Sequence, residues 1–142
     1  FVTRAHIVRA ASEAGVYQTV EVIDAAAADT GVRLGELRVD GGGSVSDMMM
    51  QFQADMLGID VVRPEILETT ALGAAFAAGL ATGVWSSLDE IGGLVREGRR
   101  WVPRMGAEDR ARRLRLWNRA VERSLGWVDE DVRVYADGQP RS

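Results

Sequence analysis

Residues 37–51, LRVDGGGSVSDMMMQ, place three consecutive glycines between a short apolar run and three methionines. Leu37 to Val39 are typical of a short strand that leads into the glycines. Glycine adopts positive φ without steric cost and lets the backbone approach a ligand closely. Ser44 and Asp47 have the spacing of a capping box, so we expect a helix to start here and to end at Gly58. The stretch therefore predicts a strand, a glycine turn and a helix in succession.

A glycine turn between a strand and a helix is a common way to bind a phosphate or a nucleotide. The start of the helix presents unpaired N–H groups and the positive end of the helix dipole. The P-loop pattern requires a lysine and then Ser or Thr after its last glycine, and no lysine is near. The dinucleotide pattern G-x-G-x-x-G fits Gly41 and Gly43 but has Ser46 at its last glycine. Both fingerprints are incomplete, so the residues alone leave a plain tight turn open as well.

The rest of the chain alternates helical and extended patterns. Apolar residues at helical spacing and glycine or proline breaks predict helices over 5–29, 70–82, 86–95 and 107–125, and strands over 60–63 and 99–103. We expect Met48 to Met50 to belong to the core. The residues after 128 form a polar tail. The element order predicts an α/β chain that is rich in helix and has few strands.

Composition excludes several classes of protein. The 142 residues carry a net charge of −4, which gives no general attraction to nucleic acid or to a membrane surface. The absence of cysteine excludes disulfides and thiolate metal sites, and it suits a cytoplasmic protein. Nine arginines between Arg99 and Arg123 are interleaved with acidic residues, which favours a solvated helix face over a nucleic-acid-binding one. No apolar run reaches the roughly 18 residues of a membrane span.

Several separate blocks resemble the FGGY family of carbohydrate kinases. The family's Asp-Gly-Gly turn, its Met-Gln-Phe-Gln helix, its Arg-Pro-Glu segment and its Thr-Ala-Leu-Gly-Ala-Ala helix occur here in order and with similar spacing. The opening HIVRAASEAGVYQTVEVIDA, residues 6–25, is similar to another helix of that family. The matching blocks are Val39–Gly42, Met50–Gly58, Arg63–Glu65 and Thr70–Ala75.

The resemblance implies an actin-like ATPase fold with two RNase H-like lobes and ATP, together with Mg²⁺, in the cleft between them. Residues 1–128 would be the C-terminal part of the second, nucleotide-binding lobe, and residues 129–142 would be a polar tail. Family members contact the nucleotide through the backbone of the second turn glycine and through an Asn four residues later. Those positions are Gly42 and Ser46 here, and the implied nucleotide-binding set is Gly41, Gly42, Gly43, Ser46 and Asp47. Ser46 is shorter than Asn, so the adenine contact is lost, bridged by water or passed to Asp47.

The resemblance also implies what this segment does not contain. Catalytic residues, metal ligands and substrate-contacting groups would belong to a missing N-terminal part of the same chain, and the segment alone would be inactive. The Met-Gln-Phe-Gln and Thr-Ala-Leu-Gly-Ala blocks favour the members that phosphorylate glycerol over those that phosphorylate pentuloses or other polyols. We expect a cytoplasmic homo-oligomer that binds neither nucleic acid nor membrane. A stand-alone nucleotide-binding or interaction module without catalysis remains an alternative, whereas Ser46 disfavours a dinucleotide-binding oxidoreductase.

Overall fold

The computed structural model of the chain describes residues 1–126. These residues fall into two units, Phe1–Arg110 and a second unit that begins at Ala111. The tail predicted after residue 128 lies outside the described residues, so the expected domain boundary stays a prediction.

The first unit contains three strands and four complete helices, and a fifth helix begins in it and continues into the second unit. The helices are α1 (Arg4–Thr30), α2 (Asp47–Leu57), α3 (Thr69–Thr82), α4 (Leu88–Gly92) and α5 (Ala107–Ser124). The strands are β1 (Glu36–Arg38), β2 (Asp60–Pro64) and β3 (Glu97–Trp101), and a short 3-10 turn, Gly42–Val45, precedes α2. The predicted order of elements is therefore confirmed. The fourth helix is shorter than predicted, and the third strand starts and ends two residues earlier.

The three strands form one mixed sheet in the order β1-β2-β3. β1 runs parallel to β2, with Leu37 opposite Val61, and β3 runs antiparallel to β2, with Trp101 opposite Val61. The register shifts between Arg63 and Pro64, where proline cannot donate to the ladder. At this irregularity a Cβ on Gly98 would lie 2.8 Å from the Glu65 nitrogen, so only glycine fits against the neighbouring backbone.

The core lies where α2 covers the sheet. Met50 and Ala54 on α2 pack with Val61 of β2 and Trp101 of β3, and all four are at most 4% exposed. Successive core positions on α2 are four residues apart, as one face of a helix requires. On β2, Val61 and Val62 are both buried, so both faces of the central strand are covered. This packing holds the crossover helix against the strands that it connects.

The Met-Gln-Phe-Gln-Ala-Asp stretch of α2 has structural roles on two sides. The Gln51 amide donates to the Val102 carbonyl at 2.9 Å. The Asp55 carboxylate accepts from the backbone nitrogens of Arg104 at 2.6 Å and Met105 at 3.2 Å. Phe52 packs edge-on against Tyr17 of α1, with ring centroids 5.7 Å apart. The block therefore fixes α1 and the loop after β3 to the same helix.

The long first helix begins and ends at recognisable caps. The Thr3 backbone nitrogen donates to Nδ1 of His6 at 3.1 Å, so this histidine caps the start of the helix. Gly31 adopts φ 71° and its N–H donates to the Ala27 carbonyl, an αL cap that ends the helix. Val16, Tyr17 and Val20 are the buried residues of α1.

Two expectations about apolar residues were wrong. Met48 is 56% exposed, so only part of the methionine triplet belongs to the core, because the first turn of α2 presents successive residues to different sides. Leu125, the last residue of the helix predicted over 107–125, is 72% exposed and lies just beyond the end of α5.

The methionine triplet offers a matched test of this packing. We expect Met50→Ala to lower the free energy of unfolding by about 2–5 kcal/mol, because it leaves a cavity under α2. Met48→Ala, two residues away on the exposed side, should change it by less than about 0.5 kcal/mol. Urea unfolding of both variants, followed by circular dichroism, measures the difference; equal losses would contradict the assigned core.

A network of charged side chains joins all three strands of the sheet. The Arg100 guanidinium of β3 donates to Asp60 of β2 at 2.8 Å, to Glu36 of β1 at 3.1 Å and to Glu97 at 2.8 Å. The hydrogen bond from Arg100 lowers the pKa of Glu97, and the same carboxylates raise the pKa of Arg100. One arginine thus balances three acids that would otherwise repel one another.

This network predicts a pH dependence of stability. Because the pKa of Glu97 in the folded chain lies below its ordinary value of 4.5, its pairing stabilises the fold above that pH and is lost as the pH falls through the folded-state pKa. Arg100→Met should therefore show a smaller loss of stability on acidification from about pH 6 to about pH 3. Urea titrations at several pH values measure this loss, with the exposed Arg33→Met as the control for removal of one charge. An unchanged acid limb in Arg100→Met would refute the prediction.

Candidate functional site

The glycine turn begins where β1 ends. The Val39 nitrogen still donates to the Val62 carbonyl at 2.9 Å, and Gly41 then adopts φ 71° and ψ −178°. This conformation is open to glycine and strained for other residues. The Gly41 carbonyl accepts from both the nitrogen of Ser44, at 3.1 Å, and its hydroxyl, at 2.7 Å. Ser44 is 3% exposed and thus closes the turn from the inside.

Two glycines of the turn present their backbone to open space. Gly42 and Gly43 are exposed, and a Cβ added to either would meet no atom of the described chain within 4 Å. Within residues 1–126, the structure shows no acceptor for the N–H group of either glycine. The turn therefore contains two adjacent exposed glycines whose backbone donors are available to a ligand, in the 3-10 turn that precedes α2.

The cap of α2 differs from the predicted one. Ser46, rather than Ser44, is the N-cap, and its hydroxyl accepts from the Met49 nitrogen at 3.4 Å. The predicted capping box of Ser44 and Asp47 does not form, because the Ser44 hydroxyl donates to the Gly41 carbonyl inside the 3-10 turn. The helix consequently starts two residues later than predicted. Asp47 becomes the first helical residue, where its negative charge suits the positive end of the helix dipole.

Two arginines and a tryptophan lie beside the turn. The Arg63 guanidinium donates to the Ser44 carbonyl at 2.6 Å and lies 3.8 Å from the Asp47 carboxylate. The Arg99 guanidinium also pairs with Asp47. Both guanidinium carbons lie 5.1 Å from the ring centroid of Trp101, a cation–π distance. The Asp47 carboxylate is thus balanced by two cations.

An aspartate immediately before two glycines, as Asp40 is here, often caps its own turn by a hydrogen bond to the backbone. Its carboxylate instead accepts from the hydroxyl of Thr69 at the start of α3. The Gly41 nitrogen donates to the Leu67 carbonyl at 3.3 Å, so two hydrogen bonds join the turn to residues 67–69. The turn is therefore held to the segment that leads into α3 as well as to α2.

Two cavities lie next to this connection. One of about 220 Å³ is lined by Asp40, Thr69 and the charged side chains of Arg38, Arg96 and Glu97, among others. A mostly apolar one of about 390 Å³ lies between the end of β2, α3 and residues 94–96. Among the described residues that line these two cavities, none belongs to the predicted nucleotide-binding set.

The five predicted nucleotide-binding residues are contiguous in space because they are nearly contiguous in sequence. The fold adds two arginines from neighbouring strands. Arg63 lies 19 residues after its partner Ser44, and Arg99 lies 52 residues after its partner Asp47. Sequence reasoning missed both arginines. The sequence did contain a signal, since a charged residue, Arg63, directly follows the apolar pair Val61 and Val62 in a predicted strand. In the structure, only 18% of its side chain is exposed.

Comparison with known proteins decides the family. The profile of the FGGY family of carbohydrate kinases, C-terminal domain, matches residues 2–82. The chain belongs to the FGGY family of carbohydrate kinases. The resemblance seen in the sequence blocks is thereby confirmed, and Val39–Gly42, Met50–Gly58 and Thr70–Ala75 all lie inside the matched region.

Curated relatives of this FGGY chain are glycerol kinases. It is 58% identical over 133 residues to glycerol kinase of Renibacterium salmoninarum, covering 94% of this chain and 26% of that protein. The identity to glycerol kinase of Leifsonia xyli subsp. xyli is 57%, with the same coverage. The chain thus spans about a quarter of the length of the curated relatives it matches.

Solved structures of FGGY kinases share the fold. Plasmodium falciparum glycerol kinase with ADP superposes with a TM-score of 0.79 at 36% identity, over 87% of this chain and 25% of that one. Xylulose kinase from Rhodospirillum rubrum gives a TM-score of 0.70 at 27% identity, again over 87% and 25%. The expected fold class, a helix-rich part of an actin-like ATPase lobe with few strands, is confirmed.

Within residues 1–126, no group of three or more His, Cys, Asp or Glu side chains is arranged to hold a metal ion. Over the same range, every helix is too short or too polar to span a bilayer.

Proposed function

We propose that this chain is the C-terminal segment of the nucleotide-binding lobe of an ATP-dependent glycerol kinase. The complete protein would transfer the γ-phosphoryl group of ATP to glycerol and release glycerol 3-phosphate and ADP. The observation that carries the proposal is the 58% identity to a glycerol kinase across nearly the whole chain. Another FGGY sugar or polyol kinase is the second candidate, supported by the shared fold of a xylulose kinase at 27% identity.

The geometry of the turn supports a nucleotide at this place. Gly42 and Gly43 are exposed and lie in the 3-10 turn that precedes α2, where backbone N–H groups suit an anionic phosphate. We assign these donors, with Gly41, to the nucleotide-binding surface. Gly41 sets the direction of the turn through its positive φ, and its neighbours leave space where side chains would exclude a ligand.

Ser46 and Asp47 complete the proposed set with modified roles. The Ser46 hydroxyl already accepts the cap hydrogen bond from Met49, and it can still donate its own proton to an adenine nitrogen or to a bridging water. Asp47 is half exposed and paired with Arg99, so its remaining acceptor capacity faces solvent. In the complete kinase, Mg²⁺ bound to ATP would offset phosphate charge, and we assign its ligands to residues outside this segment.

Phosphoryl transfer depends on holding both reactants in line and on stabilising charge. The segment supplies one wall of backbone donors, and the substrate-contacting groups belong to the remainder of the enzyme. We also propose that this enzyme is cytoplasmic, where ATP is available, and that it is a homo-oligomer.

The incomplete site predicts that the 142-residue chain by itself is inactive. A coupled assay of glycerol-dependent ADP release should show no turnover above the no-enzyme background. The complete protein that contains this segment serves as the positive control, with D-xylulose as a competing substrate to separate the two candidate functions. Turnover by the isolated chain near that of the complete enzyme would refute the proposed division of the site.

Gly42 gives a direct test of the nucleotide assignment. Its φ is not positive and a Cβ there meets no protein atom, so Gly42→Val should leave the fold intact. The added methyl groups would occupy the proposed nucleotide face, and we expect the Kd for ADP to rise by about tenfold or more, equivalent to about 1.4 kcal/mol. Calorimetric titration of ADP into the complete protein measures the change.

The matched control for this substitution is Gly15→Ala on α1. It also adds a Cβ in open space, and at a helical position it should stabilise by about 0.5–1 kcal/mol without altering ADP affinity. An unaltered ADP affinity in a folded Gly42→Val variant would remove Gly42 from the nucleotide-binding surface.

A further inference from the structure

The Arg63 side chain reaches the glycine turn from the end of β2. Its guanidinium donates a hydrogen bond of 2.6 Å to the carbonyl oxygen of Ser44, 19 residues earlier in the chain. Only 18% of the side chain is exposed. Hydrogen bonds from a charged donor are shorter and stronger than neutral ones, and water competes little at a mostly buried site. This contact is therefore a firm link between the sheet and the turn.

The link continues through Ser44 to the glycines. The nitrogen and the hydroxyl of Ser44 both donate to the Gly41 carbonyl, at 3.1 Å and 2.7 Å. Arg63 thus binds the carbonyl of Ser44, while the nitrogen and hydroxyl of Ser44 bind Gly41. Because Gly42 and Gly43 lie between these two fixed points, the direction of their N–H groups depends on the separation that Arg63 maintains.

We propose that Arg63 is a positioning residue for the nucleotide: it orients the backbone donors of Gly42 and Gly43 without touching the ligand itself. The inference rests on the proposed function, because it concerns the same turn. Through this link, the stability of the sheet is coupled to the geometry of the phosphate-binding backbone.

Arg99 provides an internal comparison for Arg63. Both guanidinium carbons lie 5.1 Å from the Trp101 ring centroid, and both side chains approach the Asp47 carboxylate. Of the two, only Arg63 hydrogen-bonds to the turn carbonyl in the described part of the chain. Substituting each by methionine, which keeps an unbranched apolar stem against Trp101, separates the carbonyl contact from stacking and charge.

The test is steady-state kinetics of the complete kinase. In Arg63→Met we expect KM for ATP to rise about tenfold, with KM for glycerol within about twofold of wild type. Arg99→Met should raise KM for ATP by less than a third of that factor. Arg63→Lys keeps one charged donor that can reach the Ser44 carbonyl, and it should restore KM for ATP to within about threefold of wild type. Arg100→Met, in the separate network of Glu36, Asp60 and Glu97, controls for loss of an arginine from the sheet.

Each outcome decides the proposal. Equal effects of Arg63→Met and Arg99→Met on KM for ATP would overturn it, as would parallel losses in kcat and both KM values with a lowered Tm, which mark a purely structural role. If Arg63→Met does not fold, a KM for ATP raised about tenfold in a folded Arg63→Lys variant, whose charged donor still reaches the Ser44 carbonyl, would overturn the proposal equally. Failure of the wild-type enzyme to use ATP refutes the proposed function itself, whereas normal ATP use with an insensitive Arg63 refutes only this inference.

Discussion

The parallel pairing of β1 with β2 is the constraint on which the rest of this structure depends. Parallel neighbours cannot be joined by a tight hairpin. The chain must therefore leave β1, cross over the sheet and begin β2 at the same end of the sheet where β1 begins. Here α2 makes that crossover, and the glycine turn must lie between β1 and α2. The carboxyl ends of the two strands then meet at one edge, which brings Arg63 beside the turn.

The antiparallel third strand adds to the same edge. Because β3 runs opposite to β2, its first residues lie beside the last residues of β2, with Arg99 opposite Arg63. Its last residue, Trp101, is consequently placed under α2 with Met50 and Ala54. One strand thus contributes a cation to the turn and an aromatic ring to the core, so the candidate site and the packing under it share the same supports.

Much of this arrangement was predictable from local sequence. Glycines at the ends of α1, α2 and α3 have positive φ and stop those helices, as their positions indicated. The strand, glycine turn and helix of residues 37–57 were predicted because strand propensity, glycine flexibility and helix capping act over a few residues. The wrong cap, Ser44 in place of Ser46, shows the limit. Serine is a favoured N-cap residue at either position, and only the fold shows that Ser44 is buried and bound to Arg63 through its carbonyl. The exposure of Met48 was missed for a similar reason, since composition does not specify which methionine faces the sheet.

The sequence by itself determined the order of elements, the glycine turn and the family, because these follow from residue types at short spacing and from blocks that occur in a fixed order. Only the tertiary structure decided the pairing of the strands, the partners of Asp40 and Asp47, and the link from Arg63 to Ser44. Those contacts join residues 19 to 52 positions apart. Their formation depends on how the crossover packs on the sheet, a long-range property that no local pattern encodes.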